Sequence, residues 1–281
     1  MTEIGIATLL LIISNIFCSV QGLNDRPSFD RFNVNVDSIL FGKEYRRLIT
    51  AGFFHVNWLH LAINIASICF FTEGLEQHLG GGKYLLVYFA GLLGGNLFAL
   101  IVHRHHPSYT AVGATGAITG IIFGTIVLFP AYHIGFMGIH FSIPAWFYGF
   151  LFVLFSIYGI KSTKHNIGHE AHLAGGLAGL VMAILLDPAS LTKNYLTILA
   201  IAIPTVFFIF IIITRPMFIL IDNQYYYQQI RSSRLERLQL SEKIDQEQEI
   251  DLILEKIHRN GIKSLTKAEK DKLDFYSKII Q

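Results

Sequence analysis

The stretch that decides the fold is Gly113-Ala-Thr-Gly-Ala-Ile-Thr-Gly-Ile-Ile-Phe-Gly-Thr-Ile-Val-Leu-Phe129. It carries no charge, and with its flanks (112–130) it is long enough to be a helix in a hydrocarbon core about 30 Å thick. Gly116, Gly120 and Gly124 recur every fourth residue and so share one helix face. Small residues at that spacing let helix backbones approach closely in lipid. The stretch also opens on a hydroxyl, Thr115, placed where the glycine face begins.

Working outward, comparable apolar segments occur at 4–22, 57–76, 84–102, 142–160, 170–187 and 195–214, giving seven candidate spans. Apolar residues make up 52% of the 281 residues and charged residues 15%, against about 25% charged in a soluble domain. The chain therefore reads as an all-α, multi-pass membrane protein in contact with the lipid bilayer. Nothing in it forms a basic stripe for nucleic acid, and the net charge of +2 selects no partner. Met1-Thr-Glu3 lacks the positive residues of a secretory leader, so 4–22 is expected to be a retained span. Cys18 and Cys69 sit in apolar segments and read as small core residues.

Three parts are expected: a transmembrane core over 1–190, an additional span within 191–221, and a charged helical tail over 222–281. In the tail, Ile250, Ile253, Leu254 and Ile257 fall at helical spacing, and Asn260-Gly261 is a stop signal. Thr266 and Glu269 have the spacing of a capping box. The first loop, about 23–56, alternates Phe, Leu and Ile with Asp30, Arg31, Asp37, Lys43 and Arg47, which suits a segment half-sunk in the membrane interface.

Polar groups inside a bilayer are costly and mark function. Here they gather near span ends. His60 and Asn64 lie one turn apart in the second span, Thr115 opens the fourth, and His172 opens the sixth. Gly175 and Gly179 follow His172, and Gly91 and Gly95 lie in the third span. Packing of these glycine faces, with Gly113, Gly116 and Gly120 beside the site, would bring Thr115 and His172 together. A hydroxyl and an imidazole in that relation are a nucleophile and its base. His60, Asn64, Ala114 and the backbone N–H of Thr115 are the candidates to hold an oxyanion and the substrate. No acidic third member is evident, so the pair would act as a dyad.

No metal site is expected. His169-Glu-Ala-His172 is one residue short of the His-Glu-x-x-His zinc spacing, and His165 does not repair it. His103-Arg-His-His106 reads as an interfacial loop, and Ser108 lacks the flanking glycines of a nucleophile position. No cofactor is implied. A transporter would need charged or broken helices at mid-membrane, whereas this polar cluster lies near one end of the spans.

Together, Tyr45-Arg46-Arg47, His60-Leu-Ala-Ile-Asn64, Gly74-Leu-Glu76, Gly113-Ala-Thr-Gly116 and His172-Leu-Ala-Gly175 resemble the rhomboid family of intramembrane serine proteases. The resemblance covers about residues 40–188. It implies a six-helix bundle with the site in a water-filled cavity below the membrane surface, and a seventh helix is a known variation. It also implies single-span membrane proteins as substrates, a cell (inner) membrane location, and no cofactor. The same resemblance implies, as the alternative, a silent member that binds membrane-protein clients without cutting them. Ile250–Ser277 resembles a short module that follows the core in some bacterial members. The chain departs from the family pattern at three positions. Thr115 stands where active members have serine, Thr119 stands where an aromatic ring often packs on the histidine, and Arg46-Arg47 replaces a Trp-Arg pair.

Charge distribution pulls against the usual family orientation. Arg26, Arg31, Lys43, Arg46, Arg47, Arg104, Lys161, Lys164 and the basic tail fall on one side of a seven-span chain, with Lys83 and Lys193 opposite. Positive residues concentrate on the cytoplasmic side, which argues for a cytoplasmic first loop, whereas the resemblance implies an external one.

Overall fold

In a computed structural model, the described residues are 4–135, 142–161, 169–214 and, within the C-terminal segment, 250–261, 264–267, 269, 270, 272 and 273. Chain contacts divide the protein into two units between Ile221 and Asp222.

The first unit opens with helix α1, Ile6–Asn24. Its first turn leaves N–H groups without helical acceptors, and the positive end of the helix dipole favours an anion there. The Glu76 carboxylate fills that role, accepting from Ala7 N at 2.9 Å, Thr8 N at 3.0 Å and Thr8 Oγ1 at 2.5 Å.

The first loop is ordered by short elements: α2 (Arg26–Phe32), β1 (Val34–Asn35), α3 (Val36–Leu40), α4 (Arg47–Thr50) and a 3₁₀ turn at Ala51–Phe53. Val34, Val36, Ile39, Leu48, Ala51 and Leu100 form its own small core. Arg47 is the polar centre of the loop. Its Nη1 donates to Asp30 O at 2.8 Å, Asn33 O at 3.1 Å and Asn33 Oδ1 at 3.2 Å, and its Nε donates to Glu44 Oε2 at 2.5 Å. The guanidinium holds the Glu44 carboxyl below its usual range. Because Arg47 is buried, Arg47→Ala removes the donor from four acceptors at once. Thermal unfolding of the purified protein is expected to show a loss of about 3 kcal/mol.

Helix α5, Trp58–Leu79, starts at Asn57, whose side chain accepts from His60 N at 2.8 Å. It ends at Gly80, where a positive φ of 78° calls for glycine. Then come α6 (Gly81–Val102), β2 (Thr110–Ala111, antiparallel to β1) and α7 (Thr115–Leu128). A short hairpin pairs β3 (His133–Gly135) with β4 (Ser142–Pro144). It leads into α8 (Ala145–Lys161), followed by α9 (His169–Leu186), α10 (Ala189–Lys193) and α11 (Tyr195–Thr214).

Helices α1, α6, α9 and α11 are long and apolar enough to cross a membrane. Arg47–Phe53 and Trp58–Thr72 form a bent pair meeting at 92°, which makes a fifth crossing if counted as one span. The expected spans 112–130 and 142–160 form shorter helices. Gly113 takes a φ of 125° that no helix continues, and Ser142–Pro144 pair in a strand. The 14 residues of α7 reach about 21 Å at 1.5 Å per residue, less than the about 30 Å of a hydrocarbon core. Every residue from Gly116 to Val127 is buried against protein. Irregular backbone at membrane depth is tolerated in such a protein-lined setting, and Thr115 stands at that end of α7.

In the second unit, residues 250–260 are helical and Gly261 stops them with φ 76°. The capping box forms: Thr266 N and Oγ1 donate to Glu269 Oε2 at 2.7 and 2.9 Å, and Glu269 N donates to Thr266 Oγ1 at 3.3 Å. Lys256 Nζ reaches the same carboxylate at 2.8 Å and, with the cap, lowers its pKa to about 2. The rest of the tail expectation over 222–281 lies outside the described residues.

Candidate active site

Three helices meet along the glycine faces. A methyl placed on Gly91 would lie 2.8 Å from Gly116 O and 3.0 Å from Gly120 Cα. One on Gly95 would lie 2.7 Å from Ala171 O, and one on Gly175 would lie 2.5 Å from Gly116 O and 2.8 Å from Gly91 O. Helices α6, α7 and α9 therefore touch backbone to backbone, with Gly116, Gly120, Gly175 and Gly179 in the seam. Its upper end carries Thr115 on α7, and His172 lies one turn before Gly175 on α9.

Thr115 begins α7 because Gly113 turns the chain just ahead of it. A side chain at Gly113 would sit 2.7 Å from His60 Cε1 and 3.2 Å from Thr115 Oγ1, so glycine both permits the backbone angle and leaves room for the histidine. Ala114 is fully buried and caps α7 without a side-chain hydrogen bond. The first-turn N–H groups thus lack a side-chain acceptor.

The Thr115 hydroxyl hydrogen-bonds to His60, Oγ1 to Nε2 at 3.3 Å. No bond joins it to His172 among the described residues. Asn64 is buried, and its amide donates to the carbonyl of His60 one turn back at 2.7 Å. Three buried polar atoms at this end have no partner: His60 Nδ1, Asn64 Oδ1 and His172 Nδ1. Buried polar groups are normally satisfied, and an orphan at a site is a common mark of function. The His172 ring packs against Phe152 of α8, centroids 6.0 Å apart, and edge-on to His169 at 5.1 Å. Phe152 thus supplies an aromatic neighbour where Thr119 does not. Thr119 instead bonds back to Thr115 O at 2.7 Å.

Two groups of residues escaped sequence reasoning. His55, fully buried, bonds through Nδ1 to Ser19 Oγ of α1 at 2.8 Å, and its ring meets His60 edge-on at 4.9 Å. Only the short spacing from His55 to His60 hinted at it. The second group centres on Glu170. Its Oε1 pairs with His103 Nε2 at 3.0 Å and accepts from Tyr109 OH at 3.0 Å. Its partners lie more than 60 residues away in the chain, which no local pattern reveals. Among the described residues no cluster of His, Cys, Asp and Glu could hold a metal ion.

The fold is a bundle of apolar helices with a hydroxyl hydrogen-bonded to an imidazole at the start of a short, buried central helix. Residues 42–189, more than half of the chain, match the Rhomboid domain, and the chain belongs to the rhomboid family. Residues 240–279 match a family of unknown function, DUF6576. The chain is similar to RHOMBOID-like protein 12, mitochondrial, of Arabidopsis thaliana, with 27% identity over 61% of this chain and 55% of that protein. It is similar to YdcA of Bacillus subtilis, named for rhomboid proteases, with 32% identity over 50% of this chain and 67% of that one. It is also similar to Inactive rhomboid protein 1 of Drosophila melanogaster, with 27% identity over 53% of this chain and 10% of that protein. The matches thus cover only part of these relatives' length. The chain is a multi-pass integral membrane protein.

Proposed function

We propose that the chain is an intramembrane endopeptidase that cuts transmembrane segments of single-span membrane proteins. Thr115 is the nucleophile and His172 the general base of a dyad. The hydroxyl proton passes to His172 as Oγ1 bonds to the scissile carbonyl carbon. The imidazolium then protonates the leaving amine, and water releases the acyl group by the reverse route. His60, Asn64 and the first-turn N–H groups after Ala114 receive the developing oxyanion. One observation carries this reading: the Thr115 hydroxyl sits at an imidazole at the protein-lined start of α7, where polar atoms of His60, Asn64 and His172 are buried unpartnered.

The core over 1–190 would perform this chemistry, with the segment 191–221 as an added helix and 222–281 as an appended tail. No cofactor takes part. The host is the cell (inner) membrane. The position of the hydroxyl favours a second reading, because it bonds to His60 and not to His172. In that reading the chain holds client segments without cutting them. A fluorophosphonate probe separates the two: labelling of the chain as it stands, lost in His172→Ala, supports the protease, whereas labelling that needs Thr115→Ser supports the silent reading. Labelling of Thr115→Ser that survives His172→Ala would exclude the dyad.

A further inference from the structure

The His103–His106 loop and Glu170 take no part in the chemistry above, yet they form a connected polar cluster beside it. We propose that Glu170 is a positioning residue: it clamps the loop that ends in Thr115 onto the start of α9 and so fixes His172 opposite the hydroxyl. The inference rests on the dyad reading.

The clamp has three parts. Glu170 lies in the first turn of α9, two residues before His172, with its carboxylate buried. Residues two apart on a helix do not face each other, so Glu170 acts through the backbone of α9 and does not hydrogen-bond the base. Its Oε1 is held by His103, the C-cap of α6, and by Tyr109. The rings of His103 and Tyr109 stack at 3.7 Å with 8° between planes, and His106 Nδ1 stands 3.4 Å from His103 Nδ1. Burial and the Glu170 charge push the Tyr109 hydroxyl pKa far up, which keeps it a donor. Beyond Tyr109 the chain pairs with β1 at Thr110–Ala111. Gly113 N then donates to Ala51 O at 2.9 Å, and α7 begins. Five residues thus separate the clamped Tyr109 from Thr115.

The glycine seam and the clamp constrain different coordinates. Backbone contacts between Gly116 and Gly175 set how far apart α7 and α9 stand. A smooth seam of small residues resists sliding along the helix axes only weakly. A buried charge is costly to leave unpaired, so the Glu170 contacts pin the axial register that the seam leaves loose. Displacement of a reacting group by about 1 Å can cost about 10²-fold in rate.

The test uses the full chain in liposomes, in the Thr115→Ser background, with a single-span model substrate. Glu170→Ala is expected to lower kcat by about 10²-fold and leave KM within about twofold. Glu170→Gln keeps an acceptor for His103 and Tyr109 and is expected to recover most of that loss. Tyr109→Phe, a milder change should Glu170→Ala fold poorly, is expected to give an intermediate kcat. A second readout needs no catalysis: cross-linking of Thr115→Cys to His172→Cys by a short bis-thiosulfonate, with Cys18 and Cys69 replaced by Ser. Glu170→Ala is expected to slow it severalfold. Unchanged cross-linking, or unchanged kcat in folded Glu170→Ala, would overturn the clamp. If no variant cuts at all, the protease reading falls, and cross-linking alone decides whether Glu170 sets the register.

Discussion

Replacing Thr115 by serine is expected to raise cleavage of a single-span substrate in liposomes by about 10²-fold. The argument lies in the side chain's freedom. A threonine hydroxyl shares Cβ with a methyl group, which narrows χ1 to few rotamers. In the structure that hydroxyl points at His60, 3.3 Å away. Attack requires it to reach His172 while the carbonyl oxygen occupies the His60 side. The swing must also occur where a side chain at Gly113 would already stand 3.2 Å from Oγ1. Serine carries no methyl and can rotate between the two imidazoles. His172→Ala in the serine background is expected to return the rate to background, a loss on the order of 10⁴-fold or more, as for other removed bases. The check is kcat/KM for the chain as it stands, Thr115→Ser, and Thr115→Ser with His172→Ala. A chain that already cuts as fast as its serine variant would refute the crowding argument. A serine variant that stays silent would refute the protease reading.

How much of this was legible in the sequence follows from the range of the signals. The glycines at four-residue spacing act within one helix, so the seam beside Gly116 and Gly175 could be read before its geometry was seen. His60 and Asn64 share a face by the same rule. The rotamer at Thr115 was not legible, because it depends on which imidazole stands nearer in three dimensions. The bent pair was hidden as well: Arg47–Phe53 is joined to α5 by the non-helical residues 54–57, and the two pieces meet at 92°. The short α7 followed from Gly113, whose positive φ ends a helix that hydropathy alone would extend. The Glu170 contacts and the pairing of Ser19 with His55 join residues far apart in the chain, beyond any periodicity. The expectation that His103–His106 is merely an interfacial loop missed the carboxylate from α9 for that reason.

Gly175→Val is expected to remove most folded protein, and the milder Gly175→Ala to destabilise it measurably. At Gly175 the first carbon of any side chain meets Gly116 O at 2.5 Å, Gly116 Cα at 2.8 Å and Gly91 O at 2.8 Å. All three atoms are backbone, so no rotamer change relieves the clash, and α7 or α9 must move. Overpacking of that kind costs typically about 1–3 kcal/mol for small changes and more for rigid neighbours. About 2–4 °C of unfolding temperature per kcal/mol makes the alanine variant visible in a thermal melt. Gly82, with nothing within 4 Å of its added carbon, is the control and should tolerate alanine. The consequence for chemistry is separable from stability. Moving α9 away from α7 carries His172 away from Thr115, so the folded fraction of Gly175→Ala should lose rate beyond what its lower stability explains. If folded Gly175→Ala, in the Thr115→Ser background, cut at the parental rate, the seam would serve packing alone, and the dyad distance would have to be set elsewhere.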